Sequence, residues 1–153
     1  MFENGVGAFP TLVEHCLRLA ARLFAAGLAG ALIGYQRERA GKSAGLRTHV
    51  LVAMGTAMFL VGAAEAEMSA SDLSRIVQGL AAGVGFLGAG AIVKRDSSDK
   101  VLGLTTAAGI WMTASVSVAI GLGQILQGLI GALLCWAALS LLRKLPSSSS
   151  ASN

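Results

Sequence analysis

Residues 101–142 contain no Asp, Glu, Lys or Arg. A helix needs roughly 20 apolar residues to cross about 30 Å of hydrocarbon, so this one stretch is long enough for two crossings. Three further charge-free stretches, residues 23–36, 48–64 and 76–93, are candidates for one crossing each. Only 13% of the chain is charged, about half the share of an ordinary soluble domain, which removes a water-soluble globule from consideration. The stretches are apolar on every face, without the alternation of apolar and polar residues that a transmembrane barrel requires. A signal peptide is not expected, because Glu3 and Glu14 stand where a basic start would be.

The expected fold is an all-α, polytopic membrane protein: a bundle of five transmembrane helices at about residues 16–35, 48–64, 75–93, 102–121 and 124–142. Pro10 and Pro146 lie outside all five, and Gly121-Leu122-Gly123-Gln124 supplies the tight reversal between the last two. Basic residues set the orientation. Arg37, Arg39, Lys42 and Arg47 crowd the first loop and three lysines or arginines the loop of residues 94–100, whereas residues 65–75 are mainly acidic. By the positive-inside rule the N-terminus faces out and the C-terminus in. Residues 1–15 then form a periplasmic segment, residues 16–144 the membrane domain, and residues 145–153 a disordered, Ser-rich cytoplasmic tail. The net charge of +4 is an orientation signal and does not imply nucleic-acid binding. Cys16 and Cys135 are expected at different depths and read as packing residues.

Three segments together resemble the MgtC/SapB family. They are Gly30-Ala31-Leu32-Ile33-Gly34-Tyr35-Gln36-Arg37-Glu38-Arg39 continuing to Gly45-Leu46-Arg47-Thr48-His49, then Gly83-Val84-Gly85-Phe86-Leu87-Gly88-Ala89-Gly90, then Gly103-Leu104-Thr105-Thr106-Ala107-Ala108 with Trp111. The resemblance covers residues 18–142. It implies a protein of the bacterial inner membrane associated with growth under magnesium limitation and, in pathogens, with survival inside host cells. It also implies a partner, the membrane sector of the ATP synthase, on which some members are thought to act. Many relatives carry a cytosolic domain after the fifth helix, where this sequence shows the short tail.

Gly83-Val84-Gly85-Phe86-Leu87-Gly88 matches the G-x-G-x-x-G pattern of dinucleotide sites, but it sits inside an apolar span and not at the strand-to-helix turn which that chemistry needs. Small residues in lipid let helices approach closely. Such seams run through Gly30 and Gly34, through Gly79, Gly83, Gly85, Gly88 and Gly90, and through Gly109, Thr113, Ser117 and Gly121. Packing within the subunit, a homodimer seam and a broken helix lining an ion path remain open readings of them. Trp111 falls mid-helix and is expected to be buried between helices. Arg22, inside the first hydrophobic segment, either snorkels to headgroups or faces a partner in the bundle.

The candidate functional cluster lies at the cytoplasmic face: Gln36, Arg37, Glu38, Arg47, Thr48, His49, Thr105 and Thr106. Two helices start there, at Gly45-Leu46-Arg47-Thr48 and Gly103-Leu104-Thr105-Thr106, each offering a threonine as candidate N-cap; the offset of 58 residues suggests a weak repeat. Free amides at both starts, with Arg47 and His49, suit an anion: Glu38, a lipid headgroup or a partner's carboxylate. The bland alternatives are a topology anchor at Arg47, an interfacial His49 and a locally paired Glu38. No span contains Asp or Glu, the usual ligands of Mg²⁺ and the usual proton relays. No cofactor is expected beyond Mg²⁺ itself, and no catalytic constellation can be assembled. The function expected is support of magnesium homeostasis by regulating another membrane protein, the alternative being a direct channel or transporter for Mg²⁺ or another cation.

Overall fold

The computed structural model describes residues 8–94 and 101–142. Five helices fill almost all of it: α1 (Ala8–Arg39), α2 (Leu46–Glu65), α3 (Ala70–Ala91), α4 (Leu104–Gly121) and α5 (Ile125–Leu141). A short antiparallel pair, β1 (Val93–Lys94) with β2 (Val101–Leu102), joins α3 to α4. Four helices are long and apolar enough to cross a membrane, and α5, equally apolar, is 17 residues long.

Burial runs opposite to that of a soluble domain. The outer surface carries Leu51, Phe86 and Leu126, each more than 70% exposed, whereas the interior holds Arg37, His49, Thr56, Thr106, Thr113 and Ser117. Water outside would make that arrangement costly; hydrocarbon outside makes it the only economical one, because polar groups then find partners only between helices. The core is correspondingly small-grained. Ala25, Ala26, Ala29 and Ile33 of α1 meet Ala53 and Ala57 of α2, Val116 and Ile120 of α4 and Ala132 of α5, a composition that trades side-chain bulk for close backbone approach. Gly30 and Gly34 extend the seam: a Cβ at Gly30 would stand 2.7 Å from Ala53 Cβ, and one at Gly34 2.9 Å from His49 Cβ.

Helix α4 is central and touches all four others, while α3 is held almost entirely by α4. The helix ends explain the reversals. Gly41, with φ of +64°, closes α1 in a Schellman turn in which Gly41 N–H donates to Glu38 O and Lys42 N–H to Arg37 O. Gly123, with φ of +91°, closes α4 the same way, with donors Gly123 and Gln124 to Ile120 O and Ala119 O.

Several boundaries differ from the expected ones. Helix α1 begins at Ala8, two turns before residue 16, with Pro10 in its first turn, a position where the missing N–H of proline costs nothing. Helix α3 begins at Ala70, capped by Ser69, whose Oγ accepts from Asp72 N–H at 3.2 Å. Residues 93 and 102, expected at helix ends, form the strand pair instead, since Ile92 has already turned to an extended backbone. Residues 1–7, 95–100 and 143–153, including the whole of the expected tail and the acidic part of the second basic loop, lie outside the described residues.

Candidate functional site

Antiparallel α1 and α4 bring the C-terminal turn of α1 over the N-terminal turn of α4. There Arg37, only 3% exposed, donates from Nη2 to Thr106 Oγ1 at 3.1 Å. One residue before it, Gln36 donates from Nε2 to the carbonyl of Leu139 in α5 at 3.2 Å. One turn deeper, fully buried His49 of α2 lies 2.7 Å from Thr113 Oγ1 of α4. Thr113 Oγ1 donates to Gly109 O at 2.9 Å, so it accepts from His49 Nδ1–H, which leaves Nε2 as the lone-pair nitrogen. Ser117 Oγ donates to Thr113 O at 2.8 Å and extends the polar track along α4. Gly109 lies beside it: a Cβ there would be in ordinary contact, 3.5 Å from His49 Cε1 and 3.9 Å from Arg37 Nε.

Three buried polar atoms have no partner among the described residues: Gln36 Oε1, Arg37 Nε and His49 Nε2. The ion pairs among those residues, Arg18 with Glu14 and His15 with Glu65, are both at the opposite end of the bundle. Arg37 is therefore a buried guanidinium with a hydroxyl for company and no carboxylate among the described residues. Arg39, by contrast, turns outward and lies over the ring of Tyr35, 5.0 Å from its centroid.

Glu38 is exposed and its Oε2 accepts from Leu46 N–H at 2.8 Å, placing a carboxylate on the first turn of α2. The expected hydroxyl caps are absent at both helix starts. Gly45 and Gly103 occupy the N-cap positions without side-chain hydrogen bonds, and Thr48 and Thr105 are exposed. The reason is register: both threonines fall within the first helical turn, beyond the residue whose side chain can fold back on the free amides. Arg47 is also exposed and stands apart from the buried cluster. His49 is an interior group and not an interfacial one. Of the eight residues singled out at this end of the bundle, Gln36, Arg37, His49 and Thr106 reach the helix interfaces, Glu38 caps a helix, and Arg47, Thr48 and Thr105 remain on the surface.

The α3 seam departs from packing within the subunit. Gly88 packs against Ala107 of α4, but a Cβ at Gly79, Gly83, Gly85 or Gly90 would meet nothing within 4 Å. Helix α3 turns Val84 and Gly88 toward α4, so Gly79 and Gly83 line an apolar groove of about 490 Å³ beside α2. Trp111 is 52% exposed; it borders a second groove with Val77, Leu80 and Ala81 of α3 and is not enclosed between helices. At the far end of the bundle, partly buried Arg22 donates from Nη1 to Gly121 O at 3.4 Å, where a cation meets the negative end of α4.

Thr113, Ser117 and Lys42 belong to the polar architecture, although the sequence pointed to them only as a seam and a topology charge. The usable signal was the run Thr106, Gly109, Thr113, Ser117, which keeps one helical face polar through an apolar span. Among the described residues no group of three His, Cys, Asp or Glu side chains could hold a metal ion.

Comparison with known proteins gives these arrangements a setting. The MgtC family model matches residues 23–148. Protein SrpB of Synechococcus elongatus is 51% identical over 126 residues, covering 75% of this chain and 69% of its own length. The "Putative magnesium transporter YhiD" of Escherichia coli K12 is 42% identical, over 74% of this chain and 55% of its own. Protein MgtC of Salmonella typhimurium is 41% identical, over 80% of this chain and 51% of its own. The chain thus spans about half the length of the latter two relatives. No solved structure matches it.

Proposed function

The chain belongs to the MgtC family, and from that premise we propose that it supports magnesium homeostasis in the bacterial inner membrane by regulating another membrane protein. It is a multi-pass membrane protein of a family whose curated members include one named for magnesium transport. The observation that carries the choice of regulation over transport is Arg37. A divalent cation entering between α1, α2 and α4 from the basic end would pass a buried guanidinium and imidazole, and the charge-free stretches of the helices offer it no carboxylate. A fixed positive charge in a low-dielectric interior repels such an ion, because its field is screened far less there than in water. The resemblance points to the ATP synthase membrane sector as the partner, and the exposed glycine face of α3 is a surface on which another membrane helix, or a second copy, could pack closely. The N-terminus faces the periplasm and the C-terminus the cytoplasm in this reading. The name of the YhiD relative favours the other reading, a direct Mg²⁺ transporter.

Flux separates the two. The full chain, reconstituted in vesicles beside an unrelated membrane protein inserted to the same density, is expected to pass Mg²⁺ at background rate. It should nonetheless restore growth at limiting magnesium in a strain lacking its relative. Saturable Mg²⁺ uptake that is abolished by His49→Ala would establish a transporter and end the regulatory account.

A further inference from the structure

Two of the unpartnered buried atoms meet at one glycine. Arg37 Nε of α1 and His49 Nε2 of α2 belong to side chains 3% and 0% exposed, and both side chains border Gly109 of α4. Outside its own helix backbone, a Cβ at Gly109 would have two atoms within 4 Å: His49 Cε1 at 3.5 Å and Arg37 Nε at 3.9 Å. The glycine thus leaves a space about the size of one methyl group, walled by the imidazole and the guanidinium. The two orphaned atoms are opposite in sense. Arg37 Nε carries a hydrogen and can only donate. His49 donates from Nδ1 to Thr113 Oγ1, because that hydroxyl gives its own proton to Gly109 O, so Nε2 presents a lone pair and can only accept. Buried polar groups of this kind are costly without a partner.

We propose that the space beside Gly109 holds one buried water molecule, which accepts from Arg37 Nε–H and donates to His49 Nε2. Water does both at once, and waters inside proteins are held by such otherwise unsatisfied groups. A metal cation cannot accept the arginine proton, and it would stand beside a fixed positive charge. A chloride ion can accept but not donate. It would need a second proton on His49, which sets two positive charges side by side where their repulsion is poorly screened. The pair therefore selects a neutral ligand that is donor and acceptor together, and the space admits one of water's size. Arg37 Nη2 and His49 Nδ1 are already tied to α4 through Thr106 and Thr113, so the water joins α1 to α2 across the same helix. Gln36 Oε1, the third orphaned atom, takes no part, since its side chain turns to Leu139 of α5. This inference does not depend on whether the protein regulates a partner or carries an ion.

Thermal unfolding midpoints of Gly109→Ala and Gly109→Ser, measured on the full chain in neutral detergent, test it. A Cβ at this position makes only ordinary contacts. In a dry site alanine, the better helix former, would therefore raise the midpoint, and serine would do no better. With water present, the methyl group takes its place and leaves Arg37 Nε and His49 Nε2 unpartnered, so Gly109→Ala is expected to lower the midpoint by about 4 °C. Gly109→Ser returns a hydroxyl that can accept from Arg37 and donate to His49, and it should recover most of that loss. Ala114→Ser, among apolar neighbours on the same helix, should lower the midpoint; a gain of serine over alanine equal to that at position 109 would overturn the proposal. So would an alanine variant as stable as the parent, which would mean that the two atoms bond each other or another side chain. Equal losses in Gly109→Ala and Gly109→Ser would mark mere crowding and overturn it too.

Discussion

Helices α2 and α4 both begin after a glycine at the same end of the bundle, yet they satisfy their first turns by opposite means. At α2 the N-cap Gly45 is extended, with φ of −103°, and the anion comes from the chain itself: Glu38, eight residues back, reaches Leu46 N–H. At α4 the N-cap Gly103 is left-handed, with φ of +93°, no carboxylate among the described residues approaches, and a buried arginine stands beside an open cavity. The similar phrases Gly-Leu-Arg-Thr and Gly-Leu-Thr-Thr therefore mark two different structures. One start is met by a carboxylate from its own sequence, and the other is met by none among the described residues.

Substitution at the two glycines should show the widest separation. Gly103→Ala places a methyl both in a left-handed backbone and into the Ala91 carbonyl, which is expected to cost roughly 3 kcal/mol in a denaturant or thermal unfolding series. Gly45→Ala keeps an ordinary backbone and meets the exposed side chain of Glu38, its carboxylate first and its Cβ at 3.3 Å, so about 1 kcal/mol is expected; equal losses would erase the distinction. Next in size, Glu38→Gln should lower stability by about 1 kcal/mol through the α2 start. Smallest are Thr48→Val and Thr105→Val. If neither hydroxyl caps a helix, each stays within about 0.5 kcal/mol of the parent protein, and a clear loss at Thr48 would return the cap to that residue.

Much of this architecture was legible because lipid makes charge placement strict. The charge-free stretches located the helices, and the glycine pair at 121–124 located the α4–α5 reversal, since Gly123 supplies the left-handed residue the turn needs. Helix ends were less legible for the same reason: the expected helices stopped near the flanking charges, whereas α1 continues past Glu14 at one end and through Arg37 and Arg39 at the other, and α3 begins before Asp72. The Ser69-Ala70-Ser71-Asp72 cap was readable as a start signal, yet it lies outside the apolar run. Side-chain direction was the harder matter. Arg37, Glu38 and Arg39 are consecutive, and a helix sends them 100° apart: one into the interior, one to the next helix, one over Tyr35. Which of the three faces inward depends on the rotation of α1 against α2 and α4, set by Gly30 and Gly34 against the backbone and side chains of α2. The same dependence governs Trp111 and the α3 glycines, whose faces are fixed by where Val84 and Gly88 dock.

The unequal lengths of the helices act on the surrounding lipid. Helix α5, with 17 residues, rises about 26 Å, several ångströms short of a typical hydrocarbon layer, whereas α1, with 32, rises about 48 Å and overshoots it. Because α1 and α5 are neighbours, one flank of the molecule meets the bilayer with unequal lengths, a mismatch met by local thinning or by snorkelling beside α5 while α1 leans or emerges next to it. Each ångström of mismatch costs a fraction of a kcal/mol. Short or unsaturated acyl chains should gather on the α5 side, so the protein carries its own local membrane thickness wherever it inserts.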